Sequence, residues 1–472
     1  MPPSNALPPG PKGTRIGGNL RQFGARRLDF FLDVARAHGD LASFRFGPKR
    51  VFLASHPDLI EQVLVTDAKH YVKHFGARMY KPVLGNGLVT SEGDFWLRQR
   101  RLSQPAFLKS RVLSYAPVMA ELTDRMLAAW TPGKAVDIHF EFSSLTSVIA
   151  LKTLFDLDDP GDRGRFTDTL RLAFDLMSDR FRTLLRLPYW FPTPANRRLK
   201  RAVAELHAVV DGFIAQGRAR GGHGTDLLSR LVSAQDDDGT RMTPRQLRDE
   251  AMTLYLAGHE TTALTLAHTM FLLSTHPEIE RKLFAELDSV LGGKLPTAAD
   301  VKALPYMERV IKESMRLFPP AWTTAREAEE AVEIGGHTIP KGAQLLISQW
   351  IVHRDPRWFP NPEGFDPDRW LAERAKELPR YAYFPFGGGP RVCIGNHFAM
   401  MEATLLLAII VQRWQLELLP GERLELSPSV TLRQKGPGLR VRLAERASRR
   451  AQKSAARPTP SSASAGHPVV SG

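Results

Sequence analysis

The single cysteine of this chain, Cys393, limits the kinds of chemical site that the chain can build. A lone thiol cannot form an intramolecular disulfide, and by itself it cannot supply a multi-cysteine zinc or iron–sulfur site. The thiol lies in the glycine-rich run Phe386-Gly-Gly-Gly-Pro-Arg-Val-Cys-Ile-Gly395, where backbone N–H groups can approach the sulfur and lower its pKa. One thiolate is enough to serve as the axial ligand of a haem iron.

Two other interpretations of this run follow from the residues alone. A free cysteine is often no more than a small buried hydrophobe, and the residue type does not distinguish that role from ligation. The glycines also suggest a phosphate-binding loop, but no Gly-Lys-Ser/Thr follows them, so the phosphate interpretation is weak.

The positions around the cysteine favour the haem interpretation. Phe386, Gly389, Arg391, Cys393 and Gly395 match the haem-binding loop F-x-x-G-x-R-x-C-x-G, so the chain resembles the cytochrome P450 superfamily. The resemblance implies haem b with Cys393 as its axial ligand. It also implies the family's fold, which is mainly α with a minor β region.

The resemblance runs from about Leu7 to Arg442, and it implies a single haem domain over residues 1–442. Short extended runs at residues 41–54 and 338–348 predict small sheets. The remaining residues, 443–472, are basic and rich in Ser, Ala and Pro, and this composition predicts a disordered tail.

A long helix is predicted over residues 249–276, and Pro277 ends it. Its centre reads Ala257-Gly-His-Glu-Thr-Thr262, although glycine and threonine are unfavourable in a helix that only packs. An ordinary amphipathic helix with a polar stripe is the simpler alternative. The segment resembles the family's distal helix, A/G-G-x-D/E-T-T/S, which crosses the haem face where oxygen binds.

By that resemblance, four positions of this helix have predicted roles. Ala257 is expected to lie over the haem iron, and Gly258 to leave a local helix distortion with room for dioxygen. Glu260 and Thr261 form an acid–alcohol pair, which suits the delivery of protons to dioxygen during its reduction. We therefore predict that Glu260 relays protons and that Thr261 organises the hydrogen bonds.

A second helix is predicted over Pro305 to Leu317, and it carries Glu313 and Arg316 three residues apart on one face. On an exposed helix, such a pair would be a routine ion pair of little energetic value. Downstream, Phe365-Asp-Pro-Asp-Arg-Trp370 resembles the F-x-P-x-R segment that follows the family's E-x-x-R helix. The resemblance implies that Glu313, Arg316 and Arg369 form a structural charge network behind the haem.

The haem propionates are predicted to meet three arginines. Trp96-Leu-Arg-Gln-Arg100 resembles the W-x-x-x-R helix whose tryptophan and arginine contact the propionates, and Arg326 occupies the place of another propionate partner. Because buried unpaired carboxylates are costly, Arg100, Arg326 and Arg391 are expected to neutralise them. Each arginine taken alone is more commonly a surface residue.

The substrate pocket is predicted by resemblance to include residues 84–90, 185–194 and 320–325. Its predicted lining residues are Val89, Leu256, Ala257, Trp322 and Thr323. An apolar lining favours a lipophilic substrate. The motif forms resemble the fatty-acid hydroxylase branch, which places a fatty acid or related lipid first and terpenoids, steroids and alkanes behind it.

One part of this pocket region has an unusual composition. Leu187-Pro-Tyr-Trp-Phe-Pro-Thr-Pro194 is aromatic and proline-rich. The stretch can gate an entrance, rest on a membrane surface or be an ordinary packed loop.

The chain is basic, with a formal net charge of +14, and its charge bears on its partners. No nucleic-acid-binding motif accompanies this charge, so nucleic acid is not a predicted partner. In the family, the helix of Trp96 borders the face behind the thiolate. We predict that an acidic ferredoxin or flavodoxin docks there, although a merely solvated basic face is an equal alternative. The predicted docking cluster consists of Arg98, Arg100, Arg101, Lys109 and Arg111.

Electrons are expected to come from NAD(P)H through a separate reductase and this carrier, because no reductase segment follows the haem motifs. No window reaches the roughly 20 apolar residues of a membrane span, and no secretory signal precedes the motifs. A single cysteine fits a reducing interior, so the chain is expected to be cytoplasmic. It is also expected to have no transmembrane anchor and to be a monomer.

The predicted activity is that of a haem-thiolate monooxygenase, which inserts one atom of O₂ into a C–H bond of a lipophilic substrate. A peroxygenase or a haem-based isomerase is an alternative, but neither needs the proton relay of Glu260 and Thr261. A non-catalytic haem sensor is the alternative from another class, and no sensor output domain is recognisable.

Overall fold

The computed structural model describes residues 6–157, 188–219, 226–236, 238–436 and 438–446, together with 169, 170, 172, 173, 176 and 177. The α-helices of this part are α1 (Leu20–Ala25), α2 (Arg27–His38), α3 (Pro57–Glu61), α4 (Phe75–Arg78), α5 (Lys81–Leu84), α6 (Gly93–Ser103), α7 (Lys109–Val112), α8 (Ala116–Ala128), α9 (Ile138–Phe155), α10 (Pro194–Ala219), α11 (Leu227–Ser233), α12 (Pro244–Thr275), α13 (Pro277–Leu291), α14 (Pro305–Leu317), α15 (Gln349–Val352), α16 (Ala372–Ala375) and α17 (Asn396–Arg413). The strands are β1 (Leu41–Phe46), β2 (Lys49–Ala54), β3 (Tyr71–Lys73), β4 (Ala135–Asp137), β5 (Thr324–Ala328), β6 (Val332–Ile334), β7 (His337–Ile339), β8 (Gln344–Ile347), β9 (Trp414–Leu418), β10 (Leu426–Pro428), β11 (Leu432–Gln434) and β12 (Arg440–Glu445).

The predicted mainly α fold with a minor β region is confirmed. In the described part of the chain, the largest sheet has the strand order β1-β2-β8-β5-β3, in which β2 and β8 run parallel and the other neighbours antiparallel. The predicted extended run 41–54 forms the hairpin β1–β2, and the run 338–348 contains most of β7 and β8. The smaller sheets are β4-β12-β9, β6-β7 and β10-β11.

The last strand corrects the predicted domain boundary at residue 442. Strand β12 continues to Glu445, and Leu443 is completely buried where it pairs with Leu416 of β9. Arg446 then forms an ion pair with Glu280. Alternating apolar residues direct one face of the strand into the core, so residues 443–446 belong to the packed domain. The predicted disorder of the tail concerns residues 447–472, which lie outside the described part.

Helix α12 runs through the core and is the predicted helix 249–276 with a longer start. A capping box begins it, in which Thr243 Oγ1 accepts from the Gln246 N–H at 3.2 Å and Gln246 Oε1 accepts from the Thr243 N–H at 2.8 Å. It packs along α9 and α17 and is buried over most of its length. Helices α12 and α17 therefore bring the Ala257–Thr262 segment and the cysteine loop into one interior.

Gly389 shows why the cysteine loop needs glycine at this motif position. Its φ is +65°, and a Cβ there would stand 1.8 Å from the Leu64 carbonyl oxygen. Leu64 lies in the π-helical segment Gln62–Thr66, which continues α3. Both the left-handed backbone and the close approach exclude a side chain, so Gly389 allows the loop to pack on this segment.

Among the described helices, none combines the length and the low charge that crossing a membrane requires.

Candidate cofactor and active site

The cysteine loop leads directly into α17. A short 3₁₀ turn, Gly389–Arg391, precedes Cys393, and the Cys393 N–H donates to the Phe386 carbonyl at 3.0 Å. Burial raises the pKa of the Cys393 thiol, while the Gly395 N–H and the positive charge of Arg100 act to lower it. Cys393 is nevertheless exposed. Its sulfur is therefore accessible to a ligand.

A cluster of cations lies beside this loop. Arg391 donates to Glu92, and its guanidinium carbon stands 4.4 Å from the ring centroid of Trp96. Burial, followed by the charge of Arg391, lowers the pKa of Arg326 to about 10. The same two causes lower the pKa of Lys73 to about 7, while Glu92 opposes them. These pKa shifts agree with three cationic side chains, those of Lys73, Arg326 and Arg391, that lie close together near Glu92.

This cluster suits a ligand that carries two carboxylates, such as haem with its propionates. Arg391 Nη1 is buried and has no hydrogen-bond partner among the described residues. A buried, unpartnered guanidinium nitrogen is costly and calls for an anionic acceptor. Of the predicted propionate contacts, Trp96, Arg326 and Arg391 are brought together here, whereas Arg100 lies nearer the sulfur of Cys393.

Two residues at this site, the cation Lys73 and the adjacent His74, were not predicted from the sequence. Lys73 ends β3 and donates through Nζ to the Leu88 and Ser91 carbonyls, each at 2.7 Å. His74 follows it, and burial together with Arg326 lowers the pKa of His74 to about 4. No local pattern marks either residue, because their partners belong to distant segments.

In the middle of α12, the surface at Ala257 and Gly258 is not covered by other residues of the described part, and we call this place the opening. Ala257 is exposed although most residues of the helix are buried, and a Cβ added to Gly258 would meet no atom within 4 Å. The predicted local distortion at Gly258 is wrong, since α-helical backbone continues through it. The hydroxyl groups of Thr261 and Thr262 donate to the carbonyls of Ala257 and Gly258, at 2.8 and 3.2 Å, and so accompany the regular helix.

Glu260 has a defined pair of partners across the molecule. Its Oε1 accepts from Arg433 and, at 3.0 Å, from the hydroxyl of Thr431, both in or beside strand β11. Burial acts to raise the pKa of Glu260, but Arg433, His259 and Thr431 outweigh it and hold the pKa below its usual value. Glu260 is therefore a carboxylate at neutral pH, tied to the β10–β11 hairpin.

Replacing Arg433 with glutamine should make the stability cost of the change depend on pH. The pKa of Glu260 is 4.5 in the unfolded chain and lower in the folded protein. The ionised carboxylate therefore stabilises the fold above pH 4.5, and this stabilisation is lost as the pH falls through the pKa of the folded state. Without Arg433, burial dominates and the pKa rises, so ionisation then destabilises the fold. We expect the free energy of unfolding of the variant to fall by about 2 kcal/mol at pH 7 and by much less at pH 4. The loss at pH 7 is smaller than for a fully buried pair, because Arg433 is about one third exposed.

The measurement is the free energy of unfolding by urea at several pH values. Arg440→Gln is the matched control, because Arg440 pairs with Glu422 at the surface and its side chain is 63% exposed. A stability loss for Arg433→Gln that does not change between pH 4 and 7 would contradict the assigned state of Glu260.

A second carboxyl group lies one helix away. Glu402 of α17 is almost completely buried and hydrogen-bonds with Thr262. Burial raises the pKa of Glu402 to about 8, which the bond from Thr262 only partly offsets. Glu402 is therefore mainly protonated at neutral pH. The contact places the start of α17, and thus the cysteine loop, within two helical turns of the Thr261 region.

Two acids of α12 fix the loop that carries Val89. Asp249 Oδ2 accepts from the Asn86 N–H at 2.8 Å, and Glu250 Oε2 accepts from the Leu88 N–H at 3.0 Å. Burial raises the pKa of Glu250 to about 8. With the loop held by these two hydrogen bonds, Val89 remains exposed, as expected of a residue that borders a substrate pocket.

One predicted pocket residue belongs elsewhere. Trp322 is buried, its ring lies 5.8 Å from that of Phe31, and its Nε1 donates to the Ser429 carbonyl at 3.0 Å. It is packed core, and we remove it from the predicted lining. Leu256 and Thr323 are half-buried, and Thr323 Oγ1 donates to the Ile347 carbonyl. Residues 185–187 of the predicted pocket lie outside the described part.

The three charges of the predicted structural network come together. Arg316 donates to both oxygens of Glu313, at 2.8 and 2.9 Å, and Arg369 Nε donates to Glu313 Oε1 at 3.1 Å. Trp370 Nε1 and the Asp366 N–H donate to the same carboxylate. Glu313 and Arg316 are completely buried, so this is a satisfied interior network and not a surface ion pair.

The predicted docking cluster is smaller than expected. Arg98 pairs with Asp236 at 2.9 Å, and Arg100 is half-buried beside the thiol. The cations that remain exposed are Arg101, Lys109 and Arg111. The α6 periodicity explains the difference, since neighbouring residues of a helix point in different directions.

An accessible thiol near cations that can neutralise two carboxylates fits a haem protein with a cysteine thiolate as axial ligand. The chain belongs to the cytochrome P450 family, whose model matches residues 8–440. Proteins of this family bind haem b through a cysteine thiolate and use NAD(P)H through redox partners. Because the chain has one cysteine, the thiolate is that of Cys393.

Individual relatives are similar over most of their length. Cyclooctatin synthase of Streptomyces melanosporofaciens is 42% identical, over 89% of this chain and 92% of the relative. Cyclooctat-9-en-7-ol 5-monooxygenase of the same organism is 38% identical, over 88% and 90%. The crystal structure of the cytochrome P450DA heme domain superposes with a TM-score of 0.86 at 29% identity, and the match covers 94% of this chain and 98% of that one. The protein is therefore an oxidoreductase, a P450 monooxygenase.

Proposed function

We propose that the protein hydroxylates a C–H bond of a cyclic terpenoid, with electrons from a separate carrier protein. One observation carries the proposal: Ala257 is exposed in the middle of a mostly buried helix, next to open space at Gly258 and one turn from Thr261. An apolar opening beside an acid–alcohol pair suits a hydrocarbon substrate near the place where dioxygen is reduced.

The relatives favour a terpenoid over the fatty acid that the motifs placed first. One of them is named for its action on cyclooctat-9-en-7-ol, a terpenoid alcohol, at 38% identity. The apolar residues of the opening agree with either substrate. We therefore rank a cyclic terpenoid first, a fatty acid second and a steroid third.

The residues of the chain have separate tasks in this proposal. Haem supplies the site at which dioxygen is bound and reduced. Cys393 holds the iron, and the Gly395 N–H and Arg100 stabilise the negative charge of its sulfur. Lys73, Arg326 and Arg391 neutralise the propionates, while Val89 and Leu256 border the substrate.

Proton delivery is assigned to Glu260 and Thr261. Glu260 faces Arg433, whose side chain is about one third exposed, so a proton can reach the carboxylate from solvent along the β10–β11 hairpin. Thr261 offers a hydroxyl group whose hydrogen is given to the Ala257 carbonyl, which leaves its oxygen lone pairs to accept a further hydrogen bond. The pair connects solvent with the opening at Gly258.

An acidic ferredoxin or flavodoxin is the proposed electron carrier. The exposed part of the predicted cluster, Arg101, Lys109 and Arg111, lies on or just after the helix that holds Arg100 beside the thiol. Three exposed cations favour an acidic partner and make the association rate dependent on salt.

Replacing Thr261 with alanine should uncouple NAD(P)H consumption from product formation. The haem site is left intact, but the hydroxyl that would organise protons is lost, so reducing equivalents should leave as hydrogen peroxide. General acid–base catalysis is worth roughly 100-fold or more, and we expect product per NAD(P)H to fall by about that order. Thr269→Ala is the control, since Thr269 makes the same helical hydrogen bond two turns later, at 2.7 Å.

The proposal is tested with purified protein, a surrogate ferredoxin and its reductase. Cyclic terpenoid hydrocarbons and alcohols are compared with fatty acids of similar size, first by the change in haem absorbance on binding and then by product analysis. Tight binding and hydroxylation of a terpenoid would support the assignment. Preferential hydroxylation of fatty acids would overturn the substrate class, and far faster turnover with hydrogen peroxide alone would overturn the monooxygenase route.

A further inference from the structure

Residues 188–201 form a surface that combines exposed aromatic rings with exposed positive charge. The segment reads Pro-Tyr-Trp-Phe-Pro-Thr-Pro-Ala-Asn-Arg-Arg-Leu-Lys-Arg and covers a loop and the first turns of α10. It contains four cations and no acidic residue. Trp190 is 72% exposed and Phe191 is 42% exposed.

The loop holds these two rings outward by its own hydrogen bonds. Asn196, which is buried, donates through Nδ2 to the carbonyls of Pro188 at 3.0 Å and Phe191 at 2.8 Å. The Phe191 N–H donates to the Pro188 carbonyl, and Thr193 Oγ1 accepts from the Asn196 N–H at 3.0 Å. The turn is thus closed on a buried amide. The exposure of Trp190 and Phe191 follows from an ordered backbone, in which the two rings meet edge-on at 6.0 Å.

The cations extend the same surface along α10. The inward face of the helix buries Leu199, Ala202 and Val203. Its exposed face carries Arg197, Arg198, Lys200 and Arg201. Within the described residues none of these four side chains lies within ion-pair distance of a carboxylate, whereas exposed arginines elsewhere, such as Arg125, do. Lys200 lies over the ring of Tyr189, 5.5 Å from its centroid, and so joins the two parts of the surface.

The occupant that fits both parts is a bilayer with anionic headgroups. Tryptophan and phenylalanine partition to the boundary between headgroups and acyl chains, and lysine and arginine are attracted to anionic lipid. The bilayer is favoured because it offers an anionic surface to the four cations and, directly beneath it, an apolar layer to Trp190 and Phe191. We propose that residues 188–201 bind the protein reversibly to the surface of an anionic phospholipid membrane.

The test is flotation of the full-length haem protein with vesicles. Phosphatidylcholine vesicles containing about a third phosphatidylglycerol should bind the protein, pure phosphatidylcholine vesicles should bind it weakly, and about 0.5 M salt should release it. Arg197, Arg198, Lys200 and Arg201 are replaced together by glutamine. Since each cation near an anionic surface contributes about fivefold, partitioning should fall by about 100-fold or more.

A second variant examines the aromatic part of the surface. Trp190→Ser combined with Phe191→Ser should weaken partitioning by about 10-fold or more, because two large apolar groups no longer leave water. Two matched controls should partition like the wild type. One replaces the exposed Ile16 and Phe140 with serine, and the other replaces the exposed cations Arg281, Lys294, Lys302 and Arg423 with glutamine.

Each outcome decides for or against the proposal. Loss of binding in both 188–201 variants but in neither control, with thermal stability unchanged, would support it. Equal binding to neutral and anionic vesicles would overturn it, and so would an equal loss in the cation control, which would reflect net charge alone. Binding to DNA or to an acidic protein that depends on Trp190 and Phe191, without vesicle binding, would assign the surface to that other partner and overturn it as well.

Discussion

Replacing Cys393 with serine is expected to abolish both the thiolate spectrum and product formation. Serine nearly preserves the shape, and it keeps the N–H bond to the Phe386 carbonyl available. A hydroxyl group does not ionise near neutral pH as a thiol does, so the electron donation of the thiolate is lost. The measurement is the carbon monoxide difference spectrum of the dithionite-reduced protein, in which thiolate ligation shifts the Soret band far to the red.

Arg100→Gln is the informative comparison for this experiment. In the wild type, the positive charge of Arg100 acts to lower the pKa of the Cys393 thiol, but Arg100 is not itself an iron ligand. The Arg100→Gln variant should therefore keep the red-shifted band but lose it more readily at low pH. Haem content is measured in parallel, because a variant that fails to take up haem shows no band of either kind. A Cys393→Ser protein with the wild-type spectrum would contradict ligation by the chain's single cysteine.

Replacing Glu313 with alanine is expected to destabilise the protein by about 3–5 kcal/mol, the range for breaking a buried ion pair by removing one partner. The completely buried guanidinium of Arg316 would keep its backbone acceptors but lose its counter-charge. Arg369 Nε and Trp370 Nε1 would lose their acceptor too. The measurement is urea unfolding of the haem-loaded protein, with circular dichroism and the haem absorbance followed together.

The control for this variant is Glu121→Ala. Glu121 pairs with Arg125 at 2.7 Å, and both side chains are more than two thirds exposed. A pair of that kind contributes about 0–1 kcal/mol. If Glu313→Ala does not fold, Glu313→Gln is used instead, because glutamine preserves the shape of the side chain. Its loss of stability should lie between those expected for Glu313→Ala and Glu121→Ala. Equal stability of the Glu313 and Glu121 variants would show that the network does not support the core.

The parts of the structure that follow from the sequence are those made by neighbouring residues. The helix at Pro305–Leu317 has the predicted bounds, and the helix through Ala257 ends as predicted before Pro277. Such elements depend on hydrogen bonds and caps a few residues apart, which a local pattern can reveal. The glycine-rich loop is recognisable for the same reason, since its turn needs glycine at position 389.

Two of the predictions that failed concern the direction in which a side chain points. Trp322 was placed in the pocket but stacks on Phe31 in the core. Arg98 was predicted to face a partner protein but pairs with Asp236. A further prediction concerned the backbone: Gly258 was expected to distort its helix, yet the α-helix continues through it. For Trp322 and Arg98, the contact that decides the outcome comes from a distant segment.

The sequence by itself determined the ligand atom, because the chain has a single thiol. The class of chemistry followed from the resemblance of the contiguous motif around that thiol to a known family. Tertiary structure alone decided the electrostatics around that atom. Glu260 meets Arg433 across 173 residues, and Arg391 meets Glu92 across 299. Charge state depends on burial and on the charges nearby, and both are set only when the chain has folded. A local pattern can therefore single out an acid such as Glu260, but it cannot say what holds that acid ionised.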